Sequence, residues 1–311
     1  MVAPVITPAE KAFLGAHLDV AWLRPESALW DAIASAIVSR CPIASPSLDL
    51  GCGNGIFSFI TAGGRFSIDY DWYMNVDPEG FWEGKDIYDV SGTVNAAAFI
   101  TERPRYTFTV GMDHKANLLK QAGSLSFYER LVVHDADETL PFEDGTFMTV
   151  FSNILYWLKD LGASLRELRR VLDARGTALL CLPNRRFYEY CSTYGWEKRG
   201  SELLRLLNRG RSASMHWTIS FDDFVAQARE AGLRVIDHAY YLSPLTLKVW
   251  DIGLRPLSPM LIKMANALDT DTRRAIKKEW VETLSTFLLP LYQMEKGSLE
   301  EGGFHFFVVA R

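Results

Sequence analysis

Three glycines at alternating positions carry the first chemical signal. The run Leu48-Asp49-Leu50-Gly51-Cys52-Gly53-Asn54-Gly55 sets Gly51, Gly53 and Gly55 directly after Ser47–Leu50, a short apolar stretch that reads as a buried strand. Glycine at a strand end permits positive φ and lets a ligand approach the backbone closely. The dinucleotide fingerprint carries a glycine where this chain has Ile56, which disfavours a nicotinamide dehydrogenase. Two carboxylates follow at the ends of the next strands. Asp113 closes Thr107–Met112, where a carboxylate can accept from both hydroxyls of a ribose. Asp135, followed by Ala136, comes after Leu131–Val133, where it can accept from an adenine amino group. Leu140–Phe147 leads into a fourth strand, Phe147–Phe151, with Ser152 and Asn153 behind it. For proton transfer, His216 is the first candidate, because His titrates near neutrality. Tyr156, just past the fourth strand, is the second, and His17, His134, His238 and His305 rank behind.

The elements that must position these residues alternate. Ala178–Leu182 reads as a fifth strand, Leu233–Tyr241 as a sixth and Phe304–Ala310 as a seventh. Helical patterns lie at Pro25–Ser39, Lys115–Ala122 and Leu161–Leu172, and Thr93–Ile100 reads as the helix returning to the second strand. Thr7-Pro8-Ala9-Glu10 has the form of a capping box with Pro at the first helical position. Ser220 starts a helix that Gly232 ends. Alternating strands and helices imply a doubly wound, mostly parallel sheet, with strand ends gathered at one edge.

At this point the chain resembles the class I S-adenosylmethionine-dependent methyltransferases, in particular the small-molecule group called type 11. The resemblance rests on Leu48–Gly55, Gly111-Met112-Asp113, Asp135-Ala136, Leu140–Phe147 and Ser152-Asn153. It implies an α/β fold: a Rossmann-like, seven-stranded sheet, mostly parallel with the last strand antiparallel, carrying helical lid insertions. It implies S-adenosylmethionine as methyl donor, S-adenosylhomocysteine as product, and methyl transfer to a small molecule by in-line displacement. The loop Gly51, Cys52, Gly53, Asn54 and Gly55 would pack against the amino-acid part of the cofactor, with Asp49 orienting the loop or the cofactor's amino group. Asp113 would hold the ribose, His114 would lie against the adenine, and Asp135 and Ala136 would take its edge. Ser152 and Asn153 would line the methionine end. Met148 stands where the family commonly has Asp. Asp113 also lies further from Gly55 than one crossover helix requires, so Asp69, Asp71 and Asp77 are its rivals.

Segments beyond the minimal fold divide the chain into N-terminal helices (1–44), a cofactor-binding core (45–184) with an insertion at 63–92, a lid insertion (185–219), core again (220–243), a helical insertion (244–300) and a last core strand (301–311). Topology sends 185–219 and 244–300 out from the cofactor edge, so both should roof the site. The first insertion holds Tyr70, Asp71, Trp72, Tyr73, Trp82, Asp86 and Tyr88; the second holds Tyr188, Tyr190, Tyr194, Trp196 and His216-Trp217. In the third, Leu261–Leu268 and Thr272–Leu289 read as amphipathic helices, the latter with Ile276, Trp280, Leu284 and Leu288 as its apolar stripe.

Composition narrows the partners. The 311 residues are 48% hydrophobic with net charge −5, enough for a sizeable core and without the basic footprint of a nucleic-acid binder. Arg185-Arg186 and Arg205–Arg211 read as solvated charges. Cys41, Cys52, Cys181 and Cys191 lack CxxC spacing, so no metal site is expected, although Asp69, Asp71 and Asp77 could contact an ion. No signal peptide or apolar run of about 20 residues is visible, so a cytoplasmic chain without stable membrane insertion is expected. The expected partner is a small acceptor, apolar or aromatic, with a homodimer as a further expectation. Nucleic-acid or protein methylation, and a non-catalytic cofactor-binding or scaffold role, stand as alternatives.

Overall fold

A computed structural model describes residues 8–77, 95–194, 215–295 and 299–311. Seven strands form from the aliphatic and aromatic runs: β1 (Ser47–Leu50), β2 (Phe108–Asp113), β3 (Tyr128–Val133), β4 (Phe147–Ser152), β5 (Leu172–Pro183), β6 (Arg234–Tyr241) and β7 (Phe304–Ala310). They pair in the order β3-β2-β1-β4-β5-β7-β6. The first five run parallel, and β7 is antiparallel to both β5 and β6. β1 lies inside the sheet with all four residues buried, Leu50 paired with Met112 on one side and Ser152 on the other. The order of strands reverses beside β1, and in such a sheet the crevice beyond the carboxyl ends at that point is where ligands bind.

A parallel sheet needs cover on both faces. Side chains of a strand point to opposite faces in turn, and here that alternation divides two cores. Leu179, Cys181, Phe304, Phe306 and Val308 pack with helices α1 (Pro8–Val20), α2 (Pro25–Val38) and α3 (Ile56–Thr61). Ala178, Leu180, Leu182, Phe307 and Val309 pack with α5 (Leu161–Val171) and α6 (Phe221–Glu230); α4 (Ala116–Ser124) links β2 to β3. Ser220 caps α6 by accepting from Asp223 N at 3.2 Å, and Gly232 follows that helix at φ 78°. Thr7, Trp82, Asp86, Tyr88, Trp196 and Arg205–Arg211 lie outside the described residues.

Three expectations are corrected. Thr93–Ile100 is not a helix where it is described: a single 3₁₀ turn, Ala96–Phe99, gives way to a strand at Ile100–Glu102 that pairs antiparallel with Arg65–Phe66. One turn of helix does not offset its own nucleation, and the chain is pinned by Ser67 N donating to Phe99 O at 2.7 Å. Second, the described parts of 185–219 and 244–300 do not roof the sheet's carboxyl edge. The third insertion forms α7 (Pro244–Asp251), α8 (Ser258–Asn266) and α9 (Thr270–Met294), which stack on α2, on the Trp72–Asn75 turn, and on α1 and α2 respectively. Third, the buried face of α9 is offset from the apolar stripe: Arg273, Lys277, Val281, Leu288 and Tyr292 are buried, whereas Ile276 is exposed.

Two buried cations on that face have partners. Arg273 Nε donates to Asp71 Oδ2 at 2.6 Å, and Asp71 Oδ1 also accepts from Trp22 Nε1 at 3.1 Å and Tyr73 N at 3.0 Å. Lys277 Nζ donates to the carbonyls of Ile68 (2.7 Å) and Tyr70 (2.6 Å). Trp280 Nε1 donates to Trp22 O at 2.7 Å. These bonds tie α9, the 68–73 segment and the end of α1 into one unit. The carboxylates Asp69 and Asp71 pair with Arg274 and Arg273. No helix among the described residues is long and apolar enough to cross a membrane.

A buried ion pair that loses one partner leaves an uncompensated charge, at a cost of about 3–5 kcal/mol. Asp71→Ala should therefore lower the urea unfolding free energy by about that amount. A loss below about 1 kcal/mol, the range of exposed pairs, would show that Asp71 does not hold α9 in place.

Candidate active site

The crevice beyond β1 begins at the glycine loop. Gly51 N and Cys52 N both donate to Met112 O, at 2.8 and 3.0 Å, which turns the chain back over the end of β2. The turn needs left-handed backbone at Gly51, Gly53 and Gly55, with φ of 79°, 56° and 76°. At Gly51 a side chain is also excluded sterically, since a Cβ would sit 2.1 Å from Ile154 Cγ1. At Gly53 an added Cβ would meet only Leu118 at 3.9 Å, leaving that backbone open to the crevice. Asp113 secures the loop: its Oδ2 accepts from Gly53 N at 3.0 Å and its Oδ1 from Lys115 N at 2.8 Å. Asn54 Oδ1 accepts from Ile56 N at 3.2 Å and starts α3. Beneath the loop, buried Asp49 accepts from Tyr128 Oη at 2.7 Å. Burial pushes the Asp49 carboxyl up to about 6, against the lowering effect of its hydrogen bonds from Ser58 and Tyr128.

A cavity of about 550 Å³ opens above this loop. Of the residues singled out from the sequence, Asp49, Gly51, Cys52, Gly53 and Asn54 line it from the β1 side, and Asp113, His114, Asp135, Ala136 and Asn153 from the ends of β2, β3 and β4. His114 and Asp135 are exposed at the rim, and Asp135 Oδ1 accepts from Asp137 N at 2.9 Å. Asn153 Oδ1 is shielded from solvent and has no hydrogen-bond partner among the described residues.

Gly55 and Ser152 are not on the wall. Gly55 is the N-cap of α3 and packs toward Tyr128, while Ser152 is fully buried and donates to Leu50 O at 3.0 Å, bracing β4 against β1. Tyr156 lines the cavity, but His216 is exposed and does not. The reason is alternation in the short segment 215–219. His216 N donates to Tyr156 O at 3.0 Å, its neighbour Trp217 turns inward to donate to Leu158 O at 3.0 Å, and the His216 side chain is left outside.

The opposite wall comes from α1, α2 and the 72–73 turn. His17, Val20, Ala21 and Arg24 present one face of α1 and its end, at spacings of three, four and seven. Ser27, Trp30 and Asp31 present one face of α2, and Trp72 and Tyr73 close one side. The available signal was Asp31 itself, a lone carboxylate past the first turn of an otherwise apolar helix. Burial pushes its carboxyl up to about 7, and Arg24 opposes that rise. Burial, with Arg65 adding to it, pushes His17 down to about 3, so the imidazole is neutral. Its Nε2 pairs with Ser35 Oγ at 2.8 Å, and Ser35 Oγ with Thr61 Oγ1 at 2.7 Å.

The family described as methyltransferase domain matches residues 89–180. That match points to an enzyme that takes a methyl group from S-adenosylmethionine. No curated protein matches it. Among solved structures, a putative methyltransferase of Haloferax volcanii in complex with the Trm112 activator aligns at 16% identity over 97% of this chain and 96% of its own, with TM-score 0.46. A putative sarcosine dimethylglycine methyltransferase from Galdieria sulphuraria aligns at 15% identity over 93% and 86%, with TM-score 0.45. A Thermotoga maritima protein described as a possible histamine N-methyltransferase aligns at 12% over 91% and 90%, with TM-score 0.44. None of these likenesses carries a substrate to this chain.

The buried Asp49 carboxyl gives a pH signature. Its pKa is raised from 3.8 to about 6 on folding, so the folded chain holds the proton more tightly than the unfolded one. That contribution is complete below about pH 4 and is lost as pH rises through about 6. Asp49→Asn lacks this dependence, so wild type should lose stability relative to the variant between pH 4 and pH 7 in urea unfolding. An unchanged difference would place Asp49 in a less buried setting.

Proposed function

We propose that this cavity binds S-adenosylmethionine against the glycine loop and delivers its methyl group to a small-molecule acceptor held under α1 and α2. The observation carrying the proposal is that the cavity joins two unlike walls. One is backbone and carboxylate from the ends of β1 to β4, and the other is aromatic and polar side chains from α1, α2 and the 72–73 turn. The first wall fits the cofactor. Gly53 leaves its backbone open, Asn153 offers an unpartnered acceptor, and Asp113 keeps lone pairs beyond the two it uses on backbone N–H groups.

Gly51 to Asn54 would seat the amino-acid part, with Asn153 taking an N–H from it. Asp113 would accept from the ribose hydroxyls, and Asp135, Ala136 and His114 would flank the adenine. Asp49 would support the loop from below through Tyr128, while Gly55 and Ser152 would shape the site without touching the cofactor. The bound cofactor supplies a methyl group activated by sulfonium. The protein's remaining work is to align an acceptor with that methyl and exclude water, and α1, α2, Trp72 and Tyr73 would do both.

A roofed cavity of about 550 Å³ and a net charge of −5 support a small molecule over a nucleic acid. Calorimetry with S-adenosylhomocysteine tests the cofactor assignment. Wild type should bind, and Asp113→Ala should bind about 10- to 100-fold more weakly, the scale of a hydrogen bond to a charged group. Absence of binding by wild type at millimolar ligand would overturn the site, and unchanged affinity in the variant would remove Asp113 from it.

A further inference from the structure

Asp31 is a carboxylate with no structural duty. It lies on α2, half-buried on the cavity wall opposite the glycine loop, and no hydrogen bond or ion pair reaches it among the described residues. By contrast Asp49 pairs with Tyr128, Asp113 with Gly53 and Lys115, and Asp71 with Arg273. A polar group held inside a protein without a partner costs free energy and so marks a place where a ligand supplies the missing contact. Trp157 on the same cavity wall offers a second case, since its Nε1 is buried with no acceptor among the described residues. Asp31 shares the cavity with the rings of Trp30, Tyr73 and Tyr156.

Resting on the cofactor site proposed above, we infer that Asp31 is the general base for the acceptor, and that the acceptor is a small aromatic alcohol of the phenol class. A hydroxyl can donate to the free Asp31 carboxylate on this wall. The aromatic rings suit a planar apolar body. An ammonium is the poorer match, because Arg24 lines the same stretch of wall. A hydroxyl is also the acceptor that needs a base. As the acceptor's O–H bond breaks, its proton passes to Asp31. The oxygen's electron pair forms the new O–CH₃ bond while the methyl's bond to sulfur breaks and leaves its pair on sulfur. Asp31 then releases the proton to solvent with the product.

The groups that bear on Asp31 are Arg24 at the turn between α1 and α2, His17 on α1, Tyr156 after β4 and Tyr241 on β6. His17 is neutral across the working range, and burial pushes the Tyr241 phenol well above it. Asp31, raised to about 7, therefore sets the pH response.

The test uses 2-naphthol as probe, with naphthalene and 2-naphthylamine as controls, on the S-adenosylhomocysteine complex of wild type, Asp31→Asn and Asp31→Glu. Wild type should bind 2-naphthol about tenfold more tightly than naphthalene, and Asp31→Asn should lose that preference, a change of about one hydrogen bond. With S-adenosylmethionine, methylation of 2-naphthol by wild type should rise in kcat/KM through about pH 7. Asp31→Asn should fall about 100-fold and lose the rise, and Asp31→Glu should recover part of it, as expected when a general base is removed. Equal binding of naphthol and naphthalene, preferred methylation of 2-naphthylamine, or full activity in Asp31→Asn would each overturn the inference. S-Adenosylhomocysteine affinity separates this failure from failure of the cofactor site. Asp31→Asn should bind it as wild type does, which also shows that the variant is folded.

Discussion

The carboxylate of Asp113 does two things with backbone alone. It accepts from Gly53 on the loop after β1 and from Lys115 at the start of the next helix, so one side chain locks two adjacent strand ends together. The lock works because β1 and β2 pair in parallel register, Leu50 beside Met112, with Gly51 and Cys52 both donating to Met112 O. Without that register the three left-handed glycines would have no fixed direction, and the floor of the cavity would not exist. The rest of the site is arranged above this floor.

The roof depends on a different kind of interaction. α1 and α2 face the cavity with polar and aromatic side chains, and a helix that turns such a face inward must be held from behind. The holding elements are α7, α8 and α9, and the contacts are polar and buried: Asp71 with Arg273 and Trp22, Lys277 with two carbonyls, and Trp280 with Trp22 O. Directional bonds of this kind fix position more strictly than an apolar stripe, because an aliphatic contact tolerates sliding and a buried charge does not. The long insertion thus acts on the site through α1 and α2 rather than by covering it.

Much of the floor was legible in the sequence, because it is built from local signals. Strand ends carrying Asp113 and Asp135, the Gly51–Gly55 turn and the cap at Ser220 each follow from residue types at short spacing. β3 begins earlier than its apolar core suggests, at Tyr128, because an edge strand tolerates Glu129 and Arg130 on its open side. The roof was not legible, and the reason is physical. Nothing local says that Arg273 and Lys277 are buried, since their partners lie some two hundred residues away, and an isolated helix bearing them reads as solvated on that side. Asp31 was passed over and His216 preferred for the same cause: the first is brought to the cavity, and the second kept from it, by long-range packing.

We propose that one cavity seats the methyl donor on the Gly51–Asn54 floor and presents its reactive end to the wall formed by α1 and α2. A crystal structure with S-adenosylhomocysteine tests this most directly. The account predicts the ribose hydroxyls on Asp113, the amino-acid part along the glycine loop near Asn153, and the sulfur facing the space bounded by Asp31 and Tyr156. A ligand lying outside this cavity, or bound with its sulfur turned away from α1 and α2, would contradict it.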